Sequence, residues 1–138
     1  MNWFYYTLIA MVSLASFNIV AIKLGKFSGI RPEIILFYIF LFTTIIFLSF
    51  ILFKKSDLAI YKESVKWLGI AAILSFIMNY CTLSAFNSAP NAGYVEGIKS
   101  FQIVIVTIAA YFFFDGTITP LKFIGIILSL CGLILLRL

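Results

Sequence analysis

The chain has 138 residues, of which 64% are hydrophobic and 11% are charged, against roughly 25% charged in ordinary soluble domains. So few polar side chains exclude a soluble globular domain and predict an all-α polytopic membrane protein whose surface faces the lipid bilayer. The net charge of +5 is spread over the segments between apolar runs, which leaves no basic patch for nucleic acid.

Five apolar stretches are each close to the ~20 residues that a helix needs to cross a bilayer. Trp3, Tyr5 and Tyr6 suit the membrane interface at the start of the first stretch, and Pro32 suits the first turn of the second. The second stretch is almost uniformly apolar and is predicted to face lipid. The polar segment Lys54–Lys66 is predicted to lie in the interface as a short helix. The predicted helices cover about 3–24, 33–53, 65–86, 91–114 and 120–136.

Polar residues inside the first and third helices are candidates for a substrate pathway. Asn18 lies within the first apolar run, and Ser75, Asn79 and Thr82 fall at helical spacing on one face of the third helix. The alternative role is hydrogen bonding between helices, at about 0.6 kcal/mol per bond in membranes. The sequence leaves both roles open, with Asn79 as the best candidate for the pathway.

The fourth predicted helix carries two charged residues, Glu96 and Lys99, inside an apolar zone. They are three residues apart, so they share one helix face and can pair. Charged residues at membrane depth usually face a bundle interior or a wet cavity, so the pair predicts a pathway for a charged or zwitterionic solute, or a proton carried by Glu96. The alternative is that both reach the near interface, since they lie ~8 Å and ~12 Å past the Asn91 turn at ~1.5 Å per residue.

Small residues predict where helices pack closely in the membrane. Gly93 and Gly97 are four apart in the fourth helix, and Gly125, Ser129 and Gly132 form a small-residue face on the fifth. Both sets are predicted to be helix-packing surfaces.

Functional classes are further restricted by missing residue types. The chain has no histidine, and Cys81 and Cys131 lie in apolar runs where they act as small fillers, so a His/Cys metal site or a disulfide is not expected. No serine hydrolase, phosphate-loop or dinucleotide signature is visible. We therefore expect neither an enzyme nor a cofactor.

The distribution of Lys and Arg gives a weak topology signal. Five spans put the two termini on opposite sides, and the basic residues divide almost equally, slightly favouring a cytoplasmic amino terminus. One side carries Lys54, Lys55, Lys62, Lys66 and Lys122, and the other carries Lys23, Lys26, Arg31 and Arg137. Such a small bias leaves insertion in both orientations open.

From Ala85 onward the chain resembles the EamA-like family of the drug/metabolite transporter superfamily. The residues that carry the resemblance are the turn Ala85-Phe-Asn-Ser-Ala-Pro90, the turn Phe114-Asp-Gly-Thr-Ile-Thr-Pro120 and the small-residue helix from Gly125 to Gly132. Where the family has a glutamate and an arginine in the second turn, this chain has Gly116 and Thr117.

The resemblance implies that residues 1–138 form a single EamA-like transmembrane domain. The resemblance implies a full-length family member of ten helices arranged as two inverted repeats. Five helices then correspond to one half. Transporters of this kind build their sites at the repeat interface near the midplane. The chain is therefore expected to work as a dimer, either an antiparallel homodimer or a heterodimer with a second half.

The leading hypothesis is a multi-pass half-transporter of the inner (plasma) membrane that moves a small polar metabolite or amphiphile by alternating access. One alternative is a subunit of a lipid-linked sugar flippase, which paired short relatives in this superfamily resemble. Another is a non-transporting membrane assembly subunit, in which a partner helix would cover the face that bears Glu96 and Lys99.

Overall fold

The computed structural model describes residues 3–56, 58–113 and 119–137, apart from the side chains at 27, 121, 122, 129, 130, 133, 136 and 137. The described residues form six helices and no strand. The helices are α1 (Trp3–Phe27), α2 (Pro32–Lys54), α3 (Lys62–Ser88), α4 (Ala92–Lys99), α5 (Gln102–Phe113) and α6 (Pro120–Arg137).

The all-helical class and the first three predicted helices are confirmed. Trp3–Lys26, Pro32–Lys54, Lys62–Ser88 and Ala92–Phe113 are each long and apolar enough to cross a membrane. The fifth predicted helix is present as α6, and a fifth membrane crossing there stays a prediction.

The segment between α2 and α3 is not the separate interfacial helix that its composition predicts. Lys55 ends α2 in the left-handed conformation, with φ 51° and ψ 35°, and its N–H donates to Leu52 O at 3.2 Å while Ser56 N–H donates to Ile51 O at 3.1 Å. This pair of bonds is a Schellman ending, which turns the chain out of the helix. The lysine-rich part from Lys62 onward then forms the first turn of α3.

The chain divides into two compact units, and residues 1–88 form the first. In this unit α1, α2 and α3 contact one another. Its apolar core lies where α1 and α3 end and α2 begins. The buried core residues are Ala21, Ile35, Leu36 and Leu83, with Leu24 and Ile39 packed against them, and Phe86 is also buried.

Burial falls away toward the other end of the first unit. Most of α2 beyond Leu36 is exposed, as predicted for a lipid-facing helix, and the first 15 described residues of α1, Trp3 to Phe17, are exposed throughout. The apolar side chains on these surfaces suit contact with acyl chains, because lipid satisfies them without a protein partner.

Residues 89–138 form the second unit, which contains α4, α5 and α6. Within it α4 contacts α6. This unit carries the charged pair predicted from the sequence.

Candidate functional site

Asn91 fixes where α4 begins and so fixes the depth of the charged pair. Its backbone is extended, with φ −137° and ψ 122°, and its side-chain Oδ1 accepts a hydrogen bond from Gly93 N–H at 2.8 Å. This is the standard amino-terminal cap of a helix, which satisfies one of the unpaired backbone donors. Glu96 and Lys99 then lie five and eight residues after this cap, about one and a half and two turns into the helix.

Glu96 and Lys99 form the ion pair that their spacing predicts. Lys99 Nζ donates to Glu96 Oε1 at 2.8 Å, and the exposed fractions of the two side chains are 36% for Glu96 and 29% for Lys99. Pairing lowers the cost of holding either charge in an apolar segment. No hydrogen bond to Glu96 Oε2 comes from the described residues.

The fourth predicted helix is broken directly after Lys99, which differs from the continuous helix expected over 91–114. Ser100 Oγ donates to Gly97 O at 2.6 Å, so the side chain occupies an acceptor that the backbone would otherwise use. The backbone bonds across the break join residues three apart: Phe101 N to Ile98 O (3.2 Å), Ile103 N to Ser100 O (3.1 Å) and Val104 N to Phe101 O (3.1 Å). Such a 3₁₀ turn inside a longer helix often marks a hinge.

The predicted polar face of α3 is present. Asn79 Nδ2 donates to Ser75 O at 2.8 Å and lies 3.4 Å from Ser75 Oγ, and Ser75, Asn79 and Thr82 are all half-buried. The structure thus brings Ser75 and Asn79 together within one helix. Thr82 shares their face, and its hydroxyl is not hydrogen-bonded to the described residues.

Asn18 is the most buried polar side chain of the sequence-predicted set. It is 7% exposed and shares a face of α1 with Ala21 and Gly25, at spacings of three and four residues. The described residues offer its amide no hydrogen-bond partner. Its burial places it at the contact between the helices rather than toward lipid.

The predicted packing positions in the second unit stay predictions. The atom nearest to a Cβ added at Gly93 would be Oδ1 of its own cap, Asn91, at 3.1 Å. Gly97 is half-buried. A Cβ added at Gly125 or Gly132 would meet no described atom within 4 Å. The Ser129 side chain lies outside the described residues.

A close contact that the sequence does not predict joins α1 to α3. The Asn87 side chain lies against Gly25, where a Cβ would overlap Asn87 Oδ1 and lie 3.1 Å from Asn87 Cγ. Gly25, near the end of an apolar run, is a weak sequence signal for a close helix contact. The sequence pattern does not predict that Asn87 is its partner.

The apolar spans and their few inward polar groups are typical of membrane transport proteins, and the family comparison agrees with them. A model of the EamA-like transporter family matches residues 1–138. The chain belongs to the EamA-like transporter family. The resemblance inferred from its turns and last helix is therefore confirmed. This EamA-like chain is a membrane transporter domain built of apolar helices, and no curated protein or solved structure matches it.

Proposed function

We propose that this chain is a half-transporter of the inner (plasma) membrane that moves a small polar metabolite or amphiphile by alternating access, as a dimer. The candidate pathway residues are Glu96 and Lys99 of α4 in the second unit and, in the first unit, Asn18 of α1 and the polar face of α3 formed by Ser75, Asn79 and Thr82. Membership of a transporter family supports the general class, and the site residues support the polar solute.

The observation that carries the proposal is the Glu96–Lys99 ion pair. Its 2.8 Å contact lies within Ala92–Phe113, a stretch apolar enough to cross a membrane, and each side chain is only about one-third exposed. A carboxylate and an ammonium in an apolar segment cost free energy that a purely structural helix would avoid. A zwitterionic or charged solute can exchange partners with such a pair, because each charge offers the complementary contact.

The break beside the pair supports the alternating-access part of the proposal. The 3₁₀ turn at Ser100 and Phe101 directly follows Lys99. Transporters use discontinuous helices near their sites, and hinges take up backbone rotation at a few residues. A solute that separates Lys99 from Glu96 would therefore act on the segment where α4 joins α5.

Transport by the pair is tested with proteoliposomes and an equimolar mixture of 14C-labelled amino acids, which are zwitterions. Glu96→Gln and Lys99→Met, made singly, should each lower uptake at least about tenfold, because a hydrogen bond to a charged group contributes ~1.5–3 kcal/mol. The matched controls are Arg31→Gln and Glu33→Gln, which remove an exposed ion pair of 4.0 Å outside the apolar zone. Wild-type uptake in both site variants, with folded protein, would reject the role of the pair.

Cysteine scanning from Gly93 to Thr107 tests whether this face is wet. The two native cysteines, Cys81 and Cys131, are exposed and must first be replaced by serine. Positions on the Glu96–Lys99 face should react with a water-soluble maleimide, whereas the opposite face should not. Uniform lack of reaction would instead favour a partner helix covering the pair.

The dimer is part of the proposal because a single five-helix repeat would enclose only part of a pathway. The near balance of basic residues on the two sides motivates an antiparallel homodimer. Accessibility of tags on both termini decides the point. Finding every copy in one orientation, with no second half present, would exclude the antiparallel homodimer.

A further inference from the structure

The amide of Asn18 is an unusual group to find at the centre of a membrane helix. It lies 15 residues after Trp3 and 9 before Phe27, about 22 Å and 13 Å along α1, too far for a short side chain to reach either interface. Its residue is 7% exposed, and the described residues provide no hydrogen bond to it. Leaving such a group unpaired costs ~1–3 kcal/mol, and the bilayer core supplies no water to offset this.

The polar atoms of the Asn18 amide are not fully enclosed. Every fully buried side-chain nitrogen or oxygen among the described residues has a hydrogen-bond partner. Since Asn18 has none, its polar atoms must retain some accessible surface. This accessible surface is where a ligand would contact the amide.

The contact between Gly25 and Asn87 shows which parts of α1 and α3 lie beside each other. Consecutive spans alternate in direction, so these two helices run parallel, in agreement with a core at the carboxyl-terminal ends of both. Asn18 lies seven residues before Gly25 and Asn79 lies eight before Asn87, about 10.5 Å and 12 Å along the axes. The two amides therefore lie at nearly the same depth.

Both amides also lie on the core-facing sides of their own helices. Asn18 shares a face with Ala21, which is in the core, and Asn79 shares a face with Leu83, which is 2% exposed. Two primary amides, one on α1 and one on α3, thus lie at nearly the same depth just beyond the apolar core, toward the end where burial falls away.

The groups that remain available define the chemistry of a ligand. Asn79 Nδ2 is used by Ser75 O, and its Oδ1 accepts nothing from the described residues. Asn18 offers an acceptor and two donors. The charged side chains of α1 and α3 lie at least five residues away, at Lys23 and beyond. A charged group would lose its hydration here without a counter-charge from these helices, whereas a neutral group that both donates and accepts would be satisfied.

We propose that Asn18 and Asn79 form an uncharged polar site between α1 and α3 that takes a hydroxyl or amide group of a neutral solute. The site deepens the proposed function by naming the part of the pathway that binds uncharged groups. Its test does not use Glu96, Lys99 or a transport assay, so its failure and the failure of the charged-pair proposal are distinguishable.

Thermal unfolding distinguishes a ligand-binding amide at Asn18 from an amide that is hydrogen-bonded to another amide within the protein. Asn18→Leu replaces the amide with an apolar group of similar size. Removing an unpaired polar group should raise the midpoint of unfolding by about 2–8 °C. A lower midpoint would show that the amide is bonded within the folded protein, which would overturn the proposal.

Thiol labelling tests whether the site is accessible to water. In the background lacking Cys81 and Cys131, Asn18→Cys is compared with Ile19→Cys, its neighbour on α1, which is 68% exposed and faces lipid. A water-soluble maleimide should label position 18 at least about tenfold faster than position 19, although position 18 is the more buried. The reverse order, or equal rates, would contradict the proposal.

The ligand class is tested with mannitol, a neutral polyol, and with gluconate, a polyol anion, each at the same concentration. Mannitol should raise the unfolding midpoint of the wild type more than that of Asn18→Leu, and gluconate should shift both proteins equally. The Asn18→Leu protein corrects for the general effect of a polyol on folded proteins. Equal mannitol shifts in the two proteins, or a larger wild-type shift with gluconate, would overturn the neutral ligand.

Discussion

The side chain of Asn87, in the last turn of α3, lies against Gly25 near the end of α1, and a Cβ at position 25 would overlap Asn87 Oδ1. Glycine therefore allows these two helix ends to approach closely, in the way that small residues do at membrane helix contacts. The register of α1 against α3 depends on this contact, and so does the depth match of Asn18 and Asn79.

Gly25→Ala should lower the free energy of unfolding by about 0.5–1.5 kcal/mol, because Asn87 must rotate away from the new methyl group. In an Asn87→Ala background the same change should become stabilising by about 0.5–1 kcal/mol, since alanine is the better helix former. Unfolding titrations of the four proteins in mixed micelles give the coupling between the positions. Gly69→Ala is the control, because a Cβ there meets no described atom within 4 Å and should stabilise in either background.

Breaking one half of the charged pair should destabilise the protein more than removing both halves. Lys99→Met leaves the Glu96 carboxylate without its 2.8 Å partner, whereas Glu96→Gln combined with Lys99→Met leaves no charge behind. The difference should be on the order of 1 kcal/mol, because each side chain keeps about a third of its surface exposed. Unfolding titrations at neutral pH measure it, and a double variant less stable than Lys99→Met would contradict the expectation.

The spacing of Glu96 and Lys99 was enough to predict their contact, because residues three apart on a helix are neighbours whatever the rest of the fold does. The polar face of α3 was predictable for the same reason. The contact of Gly25 with Asn87 was not, since these residues are 62 positions apart along the chain and meet only through the packing of two helices. The burial of Asn18 depends on that same packing, so the sequence left its role open.

The break between α4 and α5 is not predictable from the apolar pattern, for a different reason. The hydropathy of Ala92–Phe113 is that of a continuous span, and the interruption lies where the Ser100 hydroxyl donates to Gly97 O. Serine at this position competes for a backbone carbonyl, an effect that apolar periodicity does not register. We therefore expect local side-chain chemistry, and not the uniform apolar pattern, to determine the backbone at this junction.

Ser100→Ala should make the junction of α4 and α5 more regular. Without the Ser100 hydroxyl, Gly97 O becomes available to a backbone donor, and the 3₁₀ turn should shift toward α-helix. Hydrogen exchange at the amides of Phe101 and Gln102 should slow by about fivefold or more, which corresponds to ~1 kcal/mol for one hydrogen bond.

Ser16→Ala is the matched control for the junction. Ser16 Oγ also donates to a backbone carbonyl, Val12 O at 2.9 Å, but it does so inside the continuous helix α1. Its loss should leave exchange of the neighbouring amides unchanged. Equal responses of the two serine variants would show that the hydroxyl does not cause the break.

The backbone conformation of Lys55, at the end of α2, leads to a prediction about stability. It adopts φ 51°, a left-handed conformation that costs an L-residue with a side chain roughly 1–2 kcal/mol and that glycine adopts freely. Lys55→Gly should raise the free energy of unfolding by about 0.5–1 kcal/mol, because glycine also gains entropy in the unfolded chain and so recovers only part of the strain. Lys54→Gly, one residue earlier and still helical, should lower it by up to about 1 kcal/mol. Both changes remove one positive charge from neighbouring positions. If the two variants change the free energy of unfolding in opposite directions in one set of unfolding titrations, loss of charge is excluded as the cause.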